Sequence, residues 1–263
     1  MIKSIFSRIA SAVLPKKPNV VDAFAPTINV INKSTVLNDS DFKSMVEACQ
    51  VQLAQHVAPM WLRGSWNLVM NQPESVGYPI VIMDDPDQAG ALGYHTETPD
   101  GKVWGRVFTK PVIQGKGTML DGSLSVSTVL SHEIIEAYCD PNVNLWADRG
   151  DGIMVAYEVC DPVENDTYVV TTKSGVNVSV SNFVLPAWFD SQTPGGTKLD
   201  FMAKLSSPYT MSHGGYMVLL NSTNGKTRNV FGSTEATDFH EIRQPSHPAS
   251  RSKRKTGQNK SEE

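Results

Sequence analysis

The segment from Ser125 to Cys139 constrains the fold of this chain more than any other part of the sequence. It has a helical pattern, and Pro141 ends it because proline cannot continue a helix. Most of its residues are apolar, yet it contains the run His132-Glu133-Ile134-Ile135-Glu136. The spacing of the three polar residues determines which of them share a face of the predicted helix.

His132 and Glu136 are four residues apart, so they lie on one helix face and can bind one ion together. Glu133 points about 100° away around the helix and can lie beside a water molecule instead of binding the ion. Zinc hydrolases with the motif His-Glu-x-x-His have this geometry, with the glutamate as general base. The spacing therefore predicts His132 and Glu136 as ligands and Glu133 as the catalytic base, with Glu136 in place of the second histidine.

A catalytic zinc site of this type needs a third protein ligand. Glu158 lies 22 residues after Glu136 and matches the downstream glutamate of the gluzincin arrangement, and Asp161 matches the acid that braces a ligand histidine. Asp140, one turn beyond Glu136, is the alternative third ligand. We expect Glu158 to be the ligand, because ligands from one straight helix approach an ion from a single side. Asp140 is then expected to support the ligands from outside the ligand set or to cap the following loop.

The predicted ligand set also bears on the ion and on its reactivity. One histidine and two carboxylates neutralise a divalent ion, whereas two histidines and one carboxylate leave it positively charged. A neutral centre lowers the pKa of bound water less, so a slow or purely structural site is the alternative to catalysis. We expect Zn²⁺, with Mn²⁺ or Ca²⁺ as alternatives because oxygen ligands favour harder ions.

Three further residues are weaker candidates. His95 follows Gly93-Tyr94 and would line the cleft if it lies on an edge strand. Tyr216 is predicted on a strand and could offer its hydroxyl to a developing oxyanion, although a strand tyrosine usually packs in the core. Cys160 could be a soft metal ligand, but a free thiol that packs in the core is the favoured interpretation.

The length of 263 residues allows one sizeable α/β or α+β domain, or at most two small ones, and we expect a single α+β domain over residues 36–232. A helix is predicted over residues 42–57, and strands over residues 78–83, 103–113, 168–170, 176–180 and 216–220. The formal net charge of −4 argues against a general nucleic-acid binder, and we expect no specific nucleic-acid partner. No apolar run approaches the roughly 18 residues of a transmembrane segment.

Both ends of the chain differ from this domain. Residues 1–20 have the pattern of a basic amphipathic helix and a linker, and their apolar run is too short for a signal peptide. Residues 233–263 are basic and, from Gln244 onward, rich in Ser, Pro, Lys and Arg, which is typical of a disordered tail. Residues 1–17 and the tail could each bind an assembly partner, and packing on the domain or solvation are the alternatives.

Three segments of the chain together resemble known proteins. They read, in order, His132-Glu133-Ile134-Ile135-Glu136-Ala137, Asp140-Pro141-Asn142-Val143-Asn144-Leu145-Trp146 and Glu158-Val159-Cys160-Asp161. Phosphate-induced (exordium-like) proteins are distantly similar, with His-Glu-Leu-Ala-Glu, Asn-Pro, Asn-x-Trp and Glu-Ile-Ala-Asp in the same order. A set of bacteriophage and bacterial proteins of unassigned function, related to zincin metallopeptidases, resembles this chain more over about residues 75 to 220. The resemblance implies a zincin-like fold, with a small mixed sheet packed on the active-site helix.

From these observations we predict metal-dependent hydrolysis of a peptide or protein substrate. The alternative is a non-catalytic structural, virion-associated or interaction protein of a phage that retains the zincin-like fold. The resemblance to phage proteins implies a location in the host cytoplasm or in the virion.

Overall fold

A computed structural model describes residues 26–88, 90–98 and 101–232. The predicted N-terminal helix and the predicted tail lie outside the described residues. The helices are α1 (Asp39–Gln52), α2 (Ala58–Met60), α3 (Thr109–Gln114) and α4 (Val126–Cys139). The strands are β1 (Thr27–Asn32), β2 (Asn67–Met70), β3 (Tyr78–Met83), β4 (Gly93–Glu97), β5 (Val103–Phe108), β6 (Trp146–Asp148), β7 (Ile153–Ala156), β8 (Thr167–Thr171), β9 (Asn177–Ser181), β10 (Tyr216–Asn221) and β11 (Thr227–Phe231). The chain is a mixed α+β protein, as predicted.

The largest sheet has the strand order β2-β1-β3-β5-β4. Its first four strands pair in parallel, and β4 pairs antiparallel with β5 at the edge. β1 and β3 are buried over most of their length, as expected for strands covered on both faces. Because β1 pairs with both β2 and β3, the folded unit begins before the predicted boundary at residue 36.

Several predicted elements are confirmed with shifted ends. The helix predicted over residues 42–57 is α1 followed by a π-helical turn, Leu53–Val57. The strands predicted over residues 168–170 and 176–180 are β8 and β9, which pair antiparallel, and the strand predicted after them is β10. The strand predicted to run to residue 113 is wrong in its second half, where α3 replaces it. Pro111 lies in the first turn of α3, where a helix does not use its backbone N–H groups.

Helix α4 lies at the centre of the molecule. All of its residues are buried, and it contacts β4, β5, α1 and β9. A four-stranded antiparallel sheet, in the order β11-β10-β7-β6, completes the fold. β7 and β10 belong to this sheet, and the loop after β7 contacts α4 through a hydrogen bond from the backbone N–H of Cys160 to the Glu136 carboxylate.

None of the helices in the described ranges combines the length and the hydropathy that a membrane span requires. This finding agrees with the prediction made from the sequence.

Asp84, directly after β3, ties two loops of the largest sheet together. Its carboxylate accepts hydrogen bonds from the hydroxyls of Ser34, at 2.5 Å, and Thr109, at 3.1 Å, and from the backbone N–H of Thr35, at 3.0 Å. Partial burial would raise the pKa of Asp84, but these hydrogen bonds outweigh it and lower the pKa below its usual value of 3.8.

Asp84→Asn is expected to lower the free energy of unfolding by about 1–2 kcal/mol at neutral pH, since it removes charge-assisted hydrogen bonds. A carboxylate with a lowered folded-state pKa stabilises the fold above its unfolded pKa, and this contribution is lost as the pH falls. The difference between variant and wild type in urea unfolding should therefore narrow below about pH 4. Asp85→Asn, at an exposed ion pair with Lys110, is the matched control. A difference of equal size at pH 7 and at low pH would contradict this assignment.

Candidate metal centre

The buried helix α4 carries the three residues of the predicted motif. Ser125 caps its N-terminus by accepting a hydrogen bond from the backbone N–H of Thr128 at 3.2 Å. His132, Glu133 and Glu136 are only 6%, 5% and 3% exposed. Ionisable groups at this depth need partners, because burial without them is strongly unfavourable.

Strand β4 brings His95 against α4. Gly93 and His95 are two residues apart on this strand and therefore point to the same face. A Cβ atom on Gly93 would lie 2.7 Å from Val129 Cγ1 and 2.8 Å from Glu133 Oε1, so glycine allows the strand to approach the helix closely. His95 Nδ1 lies 3.4 Å from Glu133 Oε2 and 3.6 Å from Glu136 Oε2. The predicted cleft residue is thus in direct contact with the predicted base.

The loop after β7 brings Asp161 next to His132. The backbone N–H of Cys160 donates a hydrogen bond to Glu136 Oε1 at 3.1 Å, which holds this loop on α4. Asp161 Oδ1 lies 3.2 Å from His132 Nε2, and Glu136 Oε2 lies at the same distance from that nitrogen. Asp161 and Glu136 are therefore both next to His132 Nε2. Asp161 lies where a further ligand of a metal ion bound to His132 would lie.

Glu158, the predicted third ligand, lies beside His95. Its Oε2 atom is 3.8 Å from His95 Nε2, and its side chain is 14% exposed. The other carboxylates of the cluster, Glu133, Glu136 and Asp161, have side chains no more than 7% exposed. Glu158 is therefore the most accessible acid of the cluster.

In the described part of the chain these residues form two groups. Within each group, the possible ligand atoms lie within 4.8 Å of one another. The His132 group consists of His132, Glu136 and Asp161, and the His95 group consists of His95, Glu136 and Glu158. Glu136 belongs to both. The predicted ligands His132, Glu136 and Glu158 are therefore divided between two groups. Asp161, predicted to brace a histidine, completes one group, and His95, predicted to line the cleft, completes the other.

Asp140 holds a loop. Its Oδ1 and Oδ2 atoms accept hydrogen bonds from the backbone N–H groups of Asn144 and Leu145, at 3.1 and 3.0 Å. It lies at the C-terminal end of α4 and belongs to neither group.

Tyr216 lies at the start of β10, next to Asp161. A Cβ atom on Gly215 would lie 2.2 Å from the carbonyl oxygen of Pro162, so this glycine allows β10 to approach the Asp161 turn. Burial, together with the charges of Asp161 and Glu164, raises the pKa of the Tyr216 hydroxyl well above its usual value. The hydroxyl therefore stays protonated and can donate a hydrogen bond to Asp161.

The electrostatics of the cluster reflect an excess of carboxylates. Burial alone would lower the pKa of both imidazoles, but the nearby carboxylates raise the pKa of His95 to about 9 and that of His132 well above 6.5. Burial and the charge of Glu136 raise the pKa of Asp161 to about 7, and burial also raises the pKa of Glu136. Each group thus shifts in the direction that reduces the net negative charge.

Two imidazole nitrogens are buried without a hydrogen-bond partner in the described structure, His95 Nε2 and His132 Nδ1. The cluster contains four carboxylates and two imidazoles. Its formal charge is −2 even when both imidazoles are protonated. Carboxylate oxygens and imidazole nitrogens are also the ligands that Zn²⁺ and Mn²⁺ bind in proteins. The residues present therefore suit a divalent cation.

Comparisons with protein-family models, curated proteins and solved structures found no match for this chain.

Gly93→Ala is expected to lower the free energy of unfolding by about 1–3 kcal/mol, because the added methyl group would overlap Val129 and Glu133. Gly64→Ala is the matched control, since nothing lies within 4 Å of the Cβ position there. Urea unfolding of the two variants measures the difference. Equal stability of both would show that β4 and α4 are not packed this closely.

Proposed function

We propose that this chain is a zincin-like, metal-dependent hydrolase of peptide bonds in a peptide or protein substrate. The observation that carries this proposal is the buried cluster of four carboxylates and two imidazoles on and around α4. Buried charge of this size is compensated by protonation, by ion pairs or by a bound cation, and a divalent cation at this cluster would compensate it.

In this proposal the catalytic ion is held by the His132 group. His132 and Glu136 offer ligands from one helix face, and Asp161 approaches from the loop after β7 at 3.2 Å from His132 Nε2. Asp161 would thus supply the ligand from a second direction that tetrahedral coordination needs, in place of Glu158, which was predicted from the sequence for that role. Tyr216 would orient Asp161 through its protonated hydroxyl.

A divalent ion at this position supplies Lewis acidity, which lowers the pKa of water and polarises a peptide carbonyl. Glu133 accepts a proton from the attacking water and returns it to the leaving amine. His95 Nδ1, at 3.4 Å, orients the Glu133 carboxylate. Substrate would approach from the side of Glu158, the most accessible acid of the cluster.

Zn²⁺ is the ion that we propose, with Mn²⁺ or Ca²⁺ as alternatives. The His132 group contains one histidine and two carboxylates, so its ligands are mainly hard oxygen atoms. Such a set favours Mn²⁺ more than a site with two histidines does.

A second candidate function is that of a non-catalytic interaction or phage structural protein in which the ion stabilises the fold. The low exposure of the cluster favours it, because structural metal sites are closed whereas catalytic sites keep a position open. Turnover of a general peptide substrate by the metal-loaded protein distinguishes the two functions.

Elemental analysis of the purified protein tests the proposal. We expect at least one tightly bound divalent ion per chain, and its loss in Glu136→Ala, because Glu136 belongs to both groups. Glu74→Gln, at an exposed ion pair with Lys33, is the control and should retain the metal. Wild-type protein without metal, after preparation in metal-containing buffer, would remove the basis of the proposal.

A further inference from the structure

We propose that the centre binds a second divalent ion, held by the His95 group and joined to the first ion through the carboxylate of Glu136. This inference rests on the proposed metal binding at the His132 group and extends it to a carboxylate-bridged pair of ions.

The first argument is the separation of the two histidines. Metal–ligand bonds of about 2.0–2.2 Å place two ligands of one ion at most about 4.4 Å apart. In the described structure the two histidines fall in different groups even at the wider limit of 4.8 Å. A single ion therefore cannot bind both imidazoles. Two ions, one in each group, can bind one imidazole each.

The second argument is the environment of His95 Nε2. His95 is 7% exposed, and this nitrogen has no hydrogen-bond partner among the residues described. It points to Glu158 Oε2 across 3.8 Å, which is too long for a hydrogen bond. Ligands of one ion at a tetrahedral angle lie about 3.4 Å apart, so the gap suits an ion between them.

The third argument is the orientation of Glu136. Its Oε1 atom accepts the hydrogen bond from the Cys160 N–H, and its Oε2 atom lies 3.2 Å from His132 Nε2 and 3.6 Å from His95 Nδ1. The ligand atoms of Glu136, His95 and Glu158 also lie within 4.8 Å of one another, so the carboxylate of Glu136 is shared by the two groups and can bridge two ions. Glu133, on the Nδ1 side of His95, would brace the imidazole as carboxylates commonly do for metal-bound histidines.

The fourth argument is charge. The four carboxylates of the cluster, Glu133, Glu136, Glu158 and Asp161, carry a formal charge of −4 when the imidazoles are neutral ligands. One divalent ion leaves half of this charge uncompensated in the core, whereas two divalent ions neutralise it. A pair of ions would also clamp the attacking and leaving atoms of a hydrolysed bond.

Titration of chelator-treated protein with Mn²⁺ tests the second ion without reference to activity. We expect two Mn²⁺ ions per chain by elemental analysis, and an electron paramagnetic resonance spectrum of an exchange-coupled pair. His95→Asn should retain one Mn²⁺ and give an uncoupled spectrum. His213→Asn, at an exposed histidine outside the cluster, is the matched control and should retain two.

The wild-type stoichiometry decides the question even if His95→Asn fails to fold, which circular dichroism would reveal. One Mn²⁺ per wild-type chain would overturn the second ion and leave the proposed function standing. A folded His95→Asn protein with two coupled ions would overturn the assignment of the second ion to His95. Wild-type protein that binds no Mn²⁺ and no Zn²⁺ would overturn the proposed function as well.

Discussion

Glu133→Gln is expected to lower the rate of peptide hydrolysis by about 10²–10⁴-fold, because an amide cannot accept the proton of the attacking water. The bound metal should remain, since Glu133 belongs to neither ligand group. The substitution preserves the size of the side chain, which matters because Glu133 is enclosed by Gly93 and His95. Initial rates on a general peptide substrate, measured beside the metal content, give both results on one preparation.

Glu74→Gln is the control for this experiment, because it makes the same chemical change at an exposed position. Equal rates for Glu133→Gln and the wild type would show that Glu133 is not the base. Loss of metal together with activity would instead show that Glu133 is needed to hold the ions. Absence of turnover in the metal-loaded wild type would favour the non-catalytic function.

The central helix was predictable because its signals are local. A helical pattern and a following proline fix α4, and the spacing of its polar residues fixes their relative positions on it. β1 was missed because strands buried on both faces lack the alternation that marks a strand with one exposed face. The end of β5 was misplaced because Val103 to Ile113 continues an apolar pattern across the boundary, and only tertiary structure turns the chain into α3.

The arrangement of the ligands was predictable only in part. The sequence places His132 and Glu136 together, since four residues of helix determine their separation. It does not determine how the loop after β7 reaches α4, so the positions of Asp161 and Glu158 relative to the two histidines required the structure. One signal for His95 was present, because Gly93 two residues earlier allows a strand to lie close against a helix.

Removal of the metal is expected to lower the melting temperature by about 5–16 °C. A ligand present at 100 to 1,000 times its dissociation constant stabilises the folded state by about 2.7–4.1 kcal/mol. In a domain of roughly 200 residues, each kcal/mol shifts the melting temperature by about 2–4 °C. The physical origin here is electrostatic, because without a cation the carboxylates of Glu133, Glu136 and Asp161 share only two imidazoles in the core.

Differential scanning calorimetry with and without a chelator measures this shift, and a variant that binds no metal isolates its cause. In Glu136→Gln the ligand common to both groups is lost, so the chelator should no longer change the melting temperature. The metal-free variant should also melt above the metal-free wild type, because it carries one buried carboxylate fewer.

A chelator effect of equal size in the wild type and in Glu136→Gln would place the stabilising ion elsewhere in the chain. The wild type could also contain no metal before the chelator is added, and its melting temperature could stay unchanged by the chelator. This result would mean that protons shared among these side chains stabilise the cluster without an ion. The raised pKa values of Asp161 and the two imidazoles would then describe its resting state.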